Sequence, residues 1–358
     1  MKTTHLLRVL ISFVCLSISS AVVAASEPRA QTSVDSEFHE ITPSNVFAGL
    51  ELLNRKLDRL LETAGRDSQV EAVKSRESGL EPMHVFQMHL ACIEQFRAIQ
   101  RNAGIYTMPL VVAAPEKYSP PQVFLLTKML LRAVDQYAES VTPSLLPNNT
   151  NTYHGKTPTD VFQLAVSALE KILALGGTSE ISPSEVFAQA LRVRHDAQAI
   201  VKTVAQMERD DVDIRRRLKA NSFGVNVNGH HLDVEKDIQR QPVDVFEQCL
   251  ELRLVINSIR EQLDTPTTPS PRYSKGEKIR PADVYLQTQL TIAELNLLKL
   301  FTGSMVMSPP TQPASGKSPT EVYAQITWAR FALTGLLNHL EQHPSADVVP
   351  VSKRVSPF

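Results

Sequence analysis

The chain has 358 residues, 42% of them hydrophobic, so it is long enough to bury a core of its own. Its 37 basic and 38 acidic residues nearly cancel, which excludes the basic excess typical of nucleic-acid-binding proteins. Three cysteines are too few for a small secreted scaffold that depends on disulfides for its stability.

The segment from Met1 to Ala25 has the layout of a secretory signal peptide. Lys2 and Arg8 precede the apolar residues 9–14, and a stretch of small residues ends at Ala25. This pattern predicts cleavage near Ala25 and a periplasmic or secreted protein. Removing the segment leaves 35 basic and 38 acidic residues, a formal net charge of −3. No later apolar run approaches the length of a membrane-spanning helix, so we expect no transmembrane segment in the mature chain.

A Pro-x-x-Val-aromatic signature recurs along the rest of the chain. It occupies residues 43–47, 82–86, 120–124, 158–162, 183–187, 242–246, 281–285 and 319–323. Several copies read as helix starts, as in Thr157, Pro158 and Asp160, where a hydroxyl precedes proline and an acid follows two residues later. The signature therefore predicts eight helices and fixes where each begins.

Apolar residues continue each signature at helical spacing. Counted from the signature valine, positions 0, 4, 7, 11 and 14 form a heptad seam, which in the first copy includes Leu53, Leu57 and Leu60. An amphipathic helix with one apolar stripe must bury that stripe against other helices. The sequence therefore predicts an all-α fold in which eight heptad-patterned helices, from a repeat of roughly 38 residues, pack on one another.

The signature valines are spaced almost evenly, except for a short interval from Val161 to Val186 and a long one from Val186 to Val245. A cut at the short interval gives two sets of four, which predicts a duplicated four-helix unit. We predict an N-terminal linker over 26–41, one unit over 42–178, a second over 179–343 with an insertion at 203–240, and a C-terminal tail over 344–358. The short link between helices four and five favours an antiparallel pair. Longer linkers, such as 142–156 and 265–279, leave parallel and antiparallel neighbours open elsewhere.

The insertion contains the strongest strand signal in the chain. Residues 223–227 and 230–234 alternate in polarity on either side of Asn228 and Gly229, a pattern that predicts a β-hairpin. Asn228, His230 and His231 are candidate binding residues on it. Neighbouring strand residues point to opposite faces, so the two histidines do not readily share a metal ion, and two exposed loop histidines are the simpler interpretation. We predict no metal site.

Cys92 and Cys249 remain after removal of the signal peptide, and both fall on seam positions. If equivalent helices of the two halves met, an oxidising compartment would close a disulfide between them. Two separately buried free thiols are the alternative.

Residues 155–157 and 316–318 imitate the end of a phosphate-binding loop, Gly-Lys-Thr or Gly-Lys-Ser. Thr150 and Thr311 stand where such a loop needs glycine, so we interpret both segments as helix caps. His339 and His343 have the spacing of a helical metal site, but Pro344 follows at once, which favours a helix end. No hydrolase, zinc-protease or haem-attachment motif is present. We therefore predict a protein that is not an enzyme and needs no cofactor.

These patterns favour an exported, non-catalytic helical repeat protein that acts as a binding or scaffold protein in the cell envelope. Its linkers and hairpin would contact a protein partner or an envelope component, and no nucleic acid. The alternative is a small-molecule carrier or sensor with a ligand pocket in the bundle core. That alternative depends on the space left by small seam residues at position 4, namely Thr127, Ala165, Ala190 and Thr288.

Overall fold

The computed structural model describes residues 41–66, 77–109, 115, 117–141, 146–178, 180–210, 238–269, 276, 278–301, 307–309, 311 and 314–342. Every regular element in this part of the chain is an α-helix, which confirms the all-α prediction. The predicted signal peptide, nearly all of the linker 26–41, the predicted hairpin at 223–234 and the tail 344–358 lie outside the described residues.

All eight described helices begin at a signature proline, as predicted. Their bounds are α1 Pro43–Thr63, α2 Pro82–Asn102, α3 Pro120–Val141, α4 Pro158–Gly176, α5 Pro183–Asp210, α6 Pro242–Gln262, α7 Pro281–Phe301 and α8 Pro319–Gln342. Proline is tolerated there because the first amides of a helix have no partner within the helix. The signature thus acts as a local start signal.

The predicted caps are also present. At the start of α4 the Thr157 amide donates to Asp160 Oδ2 at 2.8 Å, and the Asp160 amide donates to Thr157 Oγ1 at 3.3 Å. Ser182 and Glu185 make the same reciprocal pair at the start of α5. The hydrogen bond from the Thr157 amide lowers the pKa of Asp160. These capping boxes satisfy amides that would otherwise lack partners.

The four helices of each half run parallel. The signature prolines and valines of α1 to α4 meet at one end of their group, and those of α5 to α8 meet at one end of theirs. The linkers within each half therefore carry the chain back along the bundle before the next helix begins. This settles an orientation that linker length alone left open.

Both halves have the same packing order. α1 and α2 each pack on α3 and α4, so the helices follow one another around the group as α1, α3, α2, α4. In the second half α5 and α6 each pack on α7 and α8, which gives the order α5, α7, α6, α8. We call α1–α4 the first bundle and α5–α8 the second bundle. Their common order is what a duplicated four-helix unit predicts.

Equivalent hydrogen bonds support the duplication. In the first bundle the Lys156 amide, just before α4, donates to Ser44 Oγ at the start of α1, at 3.2 Å. In the second bundle the Lys317 amide donates to Ser184 Oγ at the same distance. The two Gly-Lys-hydroxyl segments therefore tie the last helix of a bundle to the first one, which agrees with their interpretation as helix caps.

The two bundles point in opposite directions. Arg260 near the end of α6 lies 3.4 Å from Glu81, the N-cap of α2, whereas Glu94 in the second half of α2 lies 2.8 Å from Arg192 in the first half of α5. α2 also packs directly on α7. Consequently α4 and α5 run antiparallel, as predicted. Gly177 allows the turn between them, because it ends α4 with φ of 90°.

A close approach between α1 and α3 depends on Gly49. A Cβ atom added there would lie 2.8 Å from Thr127 Cγ2, closer than carbon atoms approach in folded proteins. We expect Gly49→Ala to lower the free energy of unfolding by about 1–3 kcal/mol, since overpacking outweighs the better helix propensity of alanine. Urea unfolding followed by circular dichroism measures the change.

Thr127→Ser supplies the rescue for this prediction, because it removes the methyl group that Gly49→Ala would strike and keeps the hydroxyl. The double variant should recover most of the lost stability. Gly176→Ala is the matched control: its added Cβ would meet only Ile99, at 3.6 Å, and it should not destabilise the protein. An equal loss in both glycine variants would contradict the proposed steric cause.

Candidate functional site

Helices α2 and α7 are buried on nearly all sides, beyond what one apolar stripe explains. From Met83 to Ile93 and from Asp283 to Asn296 every residue is buried, polar ones included. The reason is that the outward faces of α2 and α7 pack on each other, in addition to the packing within their own bundles. Across this contact Gln87 Nε2 donates to Gln289 Oε1 at 2.8 Å.

Beside this contact lies a group of buried polar side chains that we call the inter-bundle cluster. It consists of Glu77, His84, Arg253, Gln287 and Glu294, and none of them is more than 6% exposed. Glu77 and His84 belong to the first half of the chain, while the other three stand on α6 and α7. The cluster therefore joins the two bundles.

Arg253 is the centre of the cluster. Its Nε and Nη2 donate to Glu294 Oε1 at 3.1 and 2.9 Å, and its Nη1 donates to Glu77 Oε1 at 3.2 Å and to Gln287 Oε1 at 2.9 Å. Burial by itself disfavours the charged guanidinium, but the two carboxylates outweigh it and raise the pKa of Arg253. Burial likewise opposes ionisation of Glu294, yet Arg253 and His84 lower the pKa of that carboxyl below its usual value.

His84 links the start of α2 to the cluster. Its Nδ1 accepts a hydrogen bond from the Glu81 amide at 3.0 Å, so the ring proton sits on Nε2. Nε2 points at Glu294 Oε1, 3.6 Å away. His84 thus fills the place in the capping box of α2 that an acid fills at other helix starts. One ring caps a helix of the first bundle and faces a carboxylate of the second.

Among the described residues, three pairs of an arginine with a carboxylate cross between the two halves with the same polarity. Glu77 pairs with Arg253, Glu81 with Arg260 at 3.4 Å, and Glu94 with Arg192 at 2.8 Å, so in each pair the first half supplies the acid. Burial raises the pKa of Glu94, and the neighbouring Arg192 only partly offsets that shift. The contact between the bundles is therefore electrostatically complementary and largely hidden from solvent.

This arrangement is suited to clamping two bodies together. Arg253 donates to one carboxylate oxygen of Glu294, and the cluster contains neither a thiol nor a hydroxyl that could act as a nucleophile. Within the described ranges no group of three histidine, cysteine or acidic residues could hold a metal ion. The cluster provides a rigid, charge-matched joint.

A pH dependence follows from the lowered pKa of Glu294. Because the folded state binds this proton less readily than the unfolded state, the carboxylate contributes stability above about pH 4.5, and that contribution is lost as the pH falls further. Glu294→Gln should remove this part of the acid sensitivity, so the difference in stability between wild type and variant should shrink below pH 4.5. Urea midpoints at neutral and acidic pH measure it.

Glu321→Gln is the control for this pH dependence. Its pKa is also lowered, first by a hydrogen bond from Lys317, but its side chain is 40% exposed at a helix start. Solvent screening should make its effect small at every pH. Equal pH profiles for the wild type and the Glu294 variant would contradict the assignment.

The candidate residues from the sequence have different outcomes. His230, His231 and Asn228 lie outside the described residues. Cys92 and Cys249 are both buried, and the structure has them as free thiols rather than as the considered disulfide. Cys92 Sγ donates to the Ala165 carbonyl of α4 at 3.5 Å, so this thiol contacts its own bundle.

Burial raises the pKa of both thiols to about 12. Since the thiolate is the reactive form, we expect Ellman's reagent to modify neither cysteine in the native mature protein. In denaturant without reductant, both thiols should react. If no thiol reacts in the denatured, unreduced protein, Cys92 and Cys249 form the disulfide instead.

In the part of the chain that the structure describes, the small seam residues on which the core-pocket alternative depends are enclosed by their neighbours. Thr127, Ala165, Ala190 and Thr288 are fully buried, and Thr127 packs against Gly49. The cavities among the signature prolines and valines measure about 20 and 10 Å³, roughly one water molecule each. An open cleft of about 400 Å³ lies instead on the surface, between α1 and the segment before α4. It is lined by Arg55, Asp58, Arg59, Glu62, Leu146 and Pro147.

No protein-family model, curated protein or solved structure matches this chain. None of the described helices is long and apolar enough to cross a membrane.

The heptad pattern did not predict the inter-bundle contact, although one pair of equivalent helices differs in charge at the positions concerned. The outward positions two and six residues after the signature valine are uncharged in α2, Gln87 and Ala91, but carry Glu247 and Glu251 in the equivalent helix α6. The α2 residues are buried and the α6 residues are exposed. The same positions are also uncharged in α3, where Leu125 is exposed, so this difference does not by itself identify the covered helix.

Proposed function

We propose that the protein is an exported, non-catalytic helical repeat protein that serves as a binding or scaffold protein in the cell envelope. The observation that carries the proposal is the use of the buried polar groups. Arg253 and Glu294 lie out of solvent's reach and pair with each other, and His84 Nε2 faces Glu294 Oε1 at 3.6 Å, so these groups join the two bundles. Binding is then a property of the outer surface.

Two features support a scaffold. Each bundle is parallel, so the chain uses long linkers to return to the same end before the next helix begins. The inter-bundle cluster and its ion pairs join the bundles by groups from both halves, which favours a stiff body. The predicted signal peptide supports the envelope location.

The small-molecule alternative has one observation in its favour, the open cleft on α1. Its volume of about 400 Å³ lies within the usual range for ligand sites, and it combines Arg55 and Arg59 with the apolar Leu146 and Pro147. These arginines already pair with Glu51 and Glu62, at 2.9 and 3.0 Å, so a ligand would have to compete for them. We therefore place this function second.

The test is an affinity capture from the envelope fraction of the native organism. The bait is the mature chain from residue 26, compared with a chain lacking residues 223–234. A partner recovered by the first bait and lost with the second supports the proposed function and the predicted hairpin together. Equal melting temperatures and helical content of the two baits serve as the control.

A thermal-shift screen with a metabolite panel tests the alternative on the same protein. A compound that binds the folded state raises the melting temperature. If such a compound is found, and Leu146→Asp abolishes its effect while Leu254→Asp on an exposed face of α6 does not, the cleft is a ligand site. Recovery of no partner together with such a compound would overturn the scaffold proposal.

A further inference from the structure

An ion pair joins the first and third helices of the first bundle, with its lysine buried and its carboxylate, on Asp135, 43% exposed. Lys56 on α1 is 2% exposed, and its Nζ donates to Asp135 Oδ1 on α3 and, at 3.0 Å, to Asn148 Oδ1 in the segment after α3. A lysine so deeply buried is stable only beside a counter-charge. Asp135 and Asn148 supply that charge and a further acceptor.

The second bundle has a corresponding ion pair. Asp196 on α5 is fully buried, and its Oδ1 accepts hydrogen bonds from Lys299 Nζ on α7, at 2.8 Å, and from Ser308 Oγ in the segment after α7. Here the first helix of the bundle carries the acid and the third helix carries the base.

The two sites occupy equivalent places in the repeat. Lys56 and Asp196 hold the same position of their helices, counted from the signature valine of each. Relative to the signature valines of α3 and α7, the positions of Asp135 and Lys299 differ by about one helical turn. Both residues therefore lie on the same face of their helices. Asn148 follows α3 and Ser308 follows α7, and their separations from the next signature valine differ by a single position. The bundles thus share one polar triad, with its ion pair reversed.

We propose that this reversed polarity is a pairing code that keeps the two homologous bundles from exchanging helices, within one chain or between two copies of it. The apolar seams cannot do this, because all eight helices present the same valine and similar apolar residues at the same positions. Duplicated and repeat proteins are prone to such exchange. A buried charge of opposite sign in each half distinguishes α1 from α5.

A helix that packs in the wrong bundle would incur an electrostatic penalty, which follows from the charges of the four residues. If α1 packed on α7, Lys56 would meet Lys299; if α5 packed on α3, Asp196 would meet Asp135. Both wrong pairings bring like charges together and leave Lys56 or Asp196 buried without a counter-ion. Correct pairing neutralises both. The code therefore acts by disfavouring alternatives, which is how buried polar residues most often specify partners.

The experiment uses three variants of the mature chain. The equalised variant, Lys56→Asp with Asp135→Lys, gives both bundles the same polarity. Its mirror, Asp196→Lys with Lys299→Asp, equalises them the other way. The fully reversed variant carries all four substitutions, so each bundle keeps an ion pair and the two polarities differ again. Donor- and acceptor-labelled chains are unfolded in denaturant, mixed and refolded together, and energy transfer between chains is compared with folded chains merely mixed.

We expect wild type and fully reversed variant to refold with the same small exchanged fraction. The equalised variants should show that fraction raised by about tenfold or more, because they lose the like-charge repulsion that opposes exchange. Failure of the equalised variants to refold, while the fully reversed variant succeeds, also supports the code. An equal exchanged fraction in all chains would overturn the pairing code. Failure of all three variants to refold would also overturn it, because it would show that only the local fit of each pair matters.

Discussion

Replacing Arg253 by methionine is expected to lower the free energy of unfolding by about 3–5 kcal/mol. Methionine has a similar length, so little volume is lost, but Glu294 and Glu77 would remain buried with no cation between them. The carboxylate oxygens of Glu294 and Glu77 and the amide oxygen of Gln287 would each lose the hydrogen bonds that Arg253 now donates. Urea unfolding of the mature protein, followed by circular dichroism at neutral pH, measures the loss.

Two further variants separate this cause from a general effect of removing arginine. Arg330→Met breaks an ion pair with Glu251 whose side chains are 35% and 54% exposed, so it should cost no more than about 1 kcal/mol. Adding Glu294→Gln to Arg253→Met should recover part of the loss, since it removes one uncompensated charge. Similar losses for Arg253 and Arg330 would contradict the clamping role of the cluster.

The second large loss of stability is expected when the buried aromatic side chains of the signature are truncated. Phe162 and Phe246 are each 1% exposed at the start of α4 and α6. We expect Phe162→Ala and Phe246→Ala each to lower the free energy of unfolding by about 3–5 kcal/mol, because the change removes a large buried side chain and leaves a cavity that neighbouring helix starts cannot fill. The same urea titration measures both variants.

Phe331→Ala is the matched control for the aromatic series. It makes the same chemical change at a side chain that is 56% exposed on α8, so its effect should stay within about 0.5 kcal/mol. If the three phenylalanine variants lost equal stability, the aromatic of the signature would not be a core residue, and the signature would need another explanation.

The helix starts could be predicted from the sequence because their causes are local. Proline, the capping hydroxyl at Thr157 or Ser182 and the acid at Asp160 or Glu185 act within one helical turn, so neighbouring residues decide the outcome. The heptad seam and the valine spacing likewise predicted the duplicated four-helix arrangement. The inter-bundle cluster could not be predicted in the same way, because Glu77 and Arg253 are far apart in the chain and become partners only when the bundles meet.

The sequence by itself determined the class of fold, the start of each helix and the division into two sets of four. It did so because capping and heptad periodicity are encoded in short, repeated patterns. Only the tertiary structure decided that the helices of a bundle run parallel, that the bundles oppose each other, and that Lys56 and Asp196 are buried beside partners of opposite charge. Those features depend on which helix faces pack together after long linkers. His84, Arg253 and Glu294 are ordinary polar residues in the sequence, and they join the two halves only because that packing buries them together.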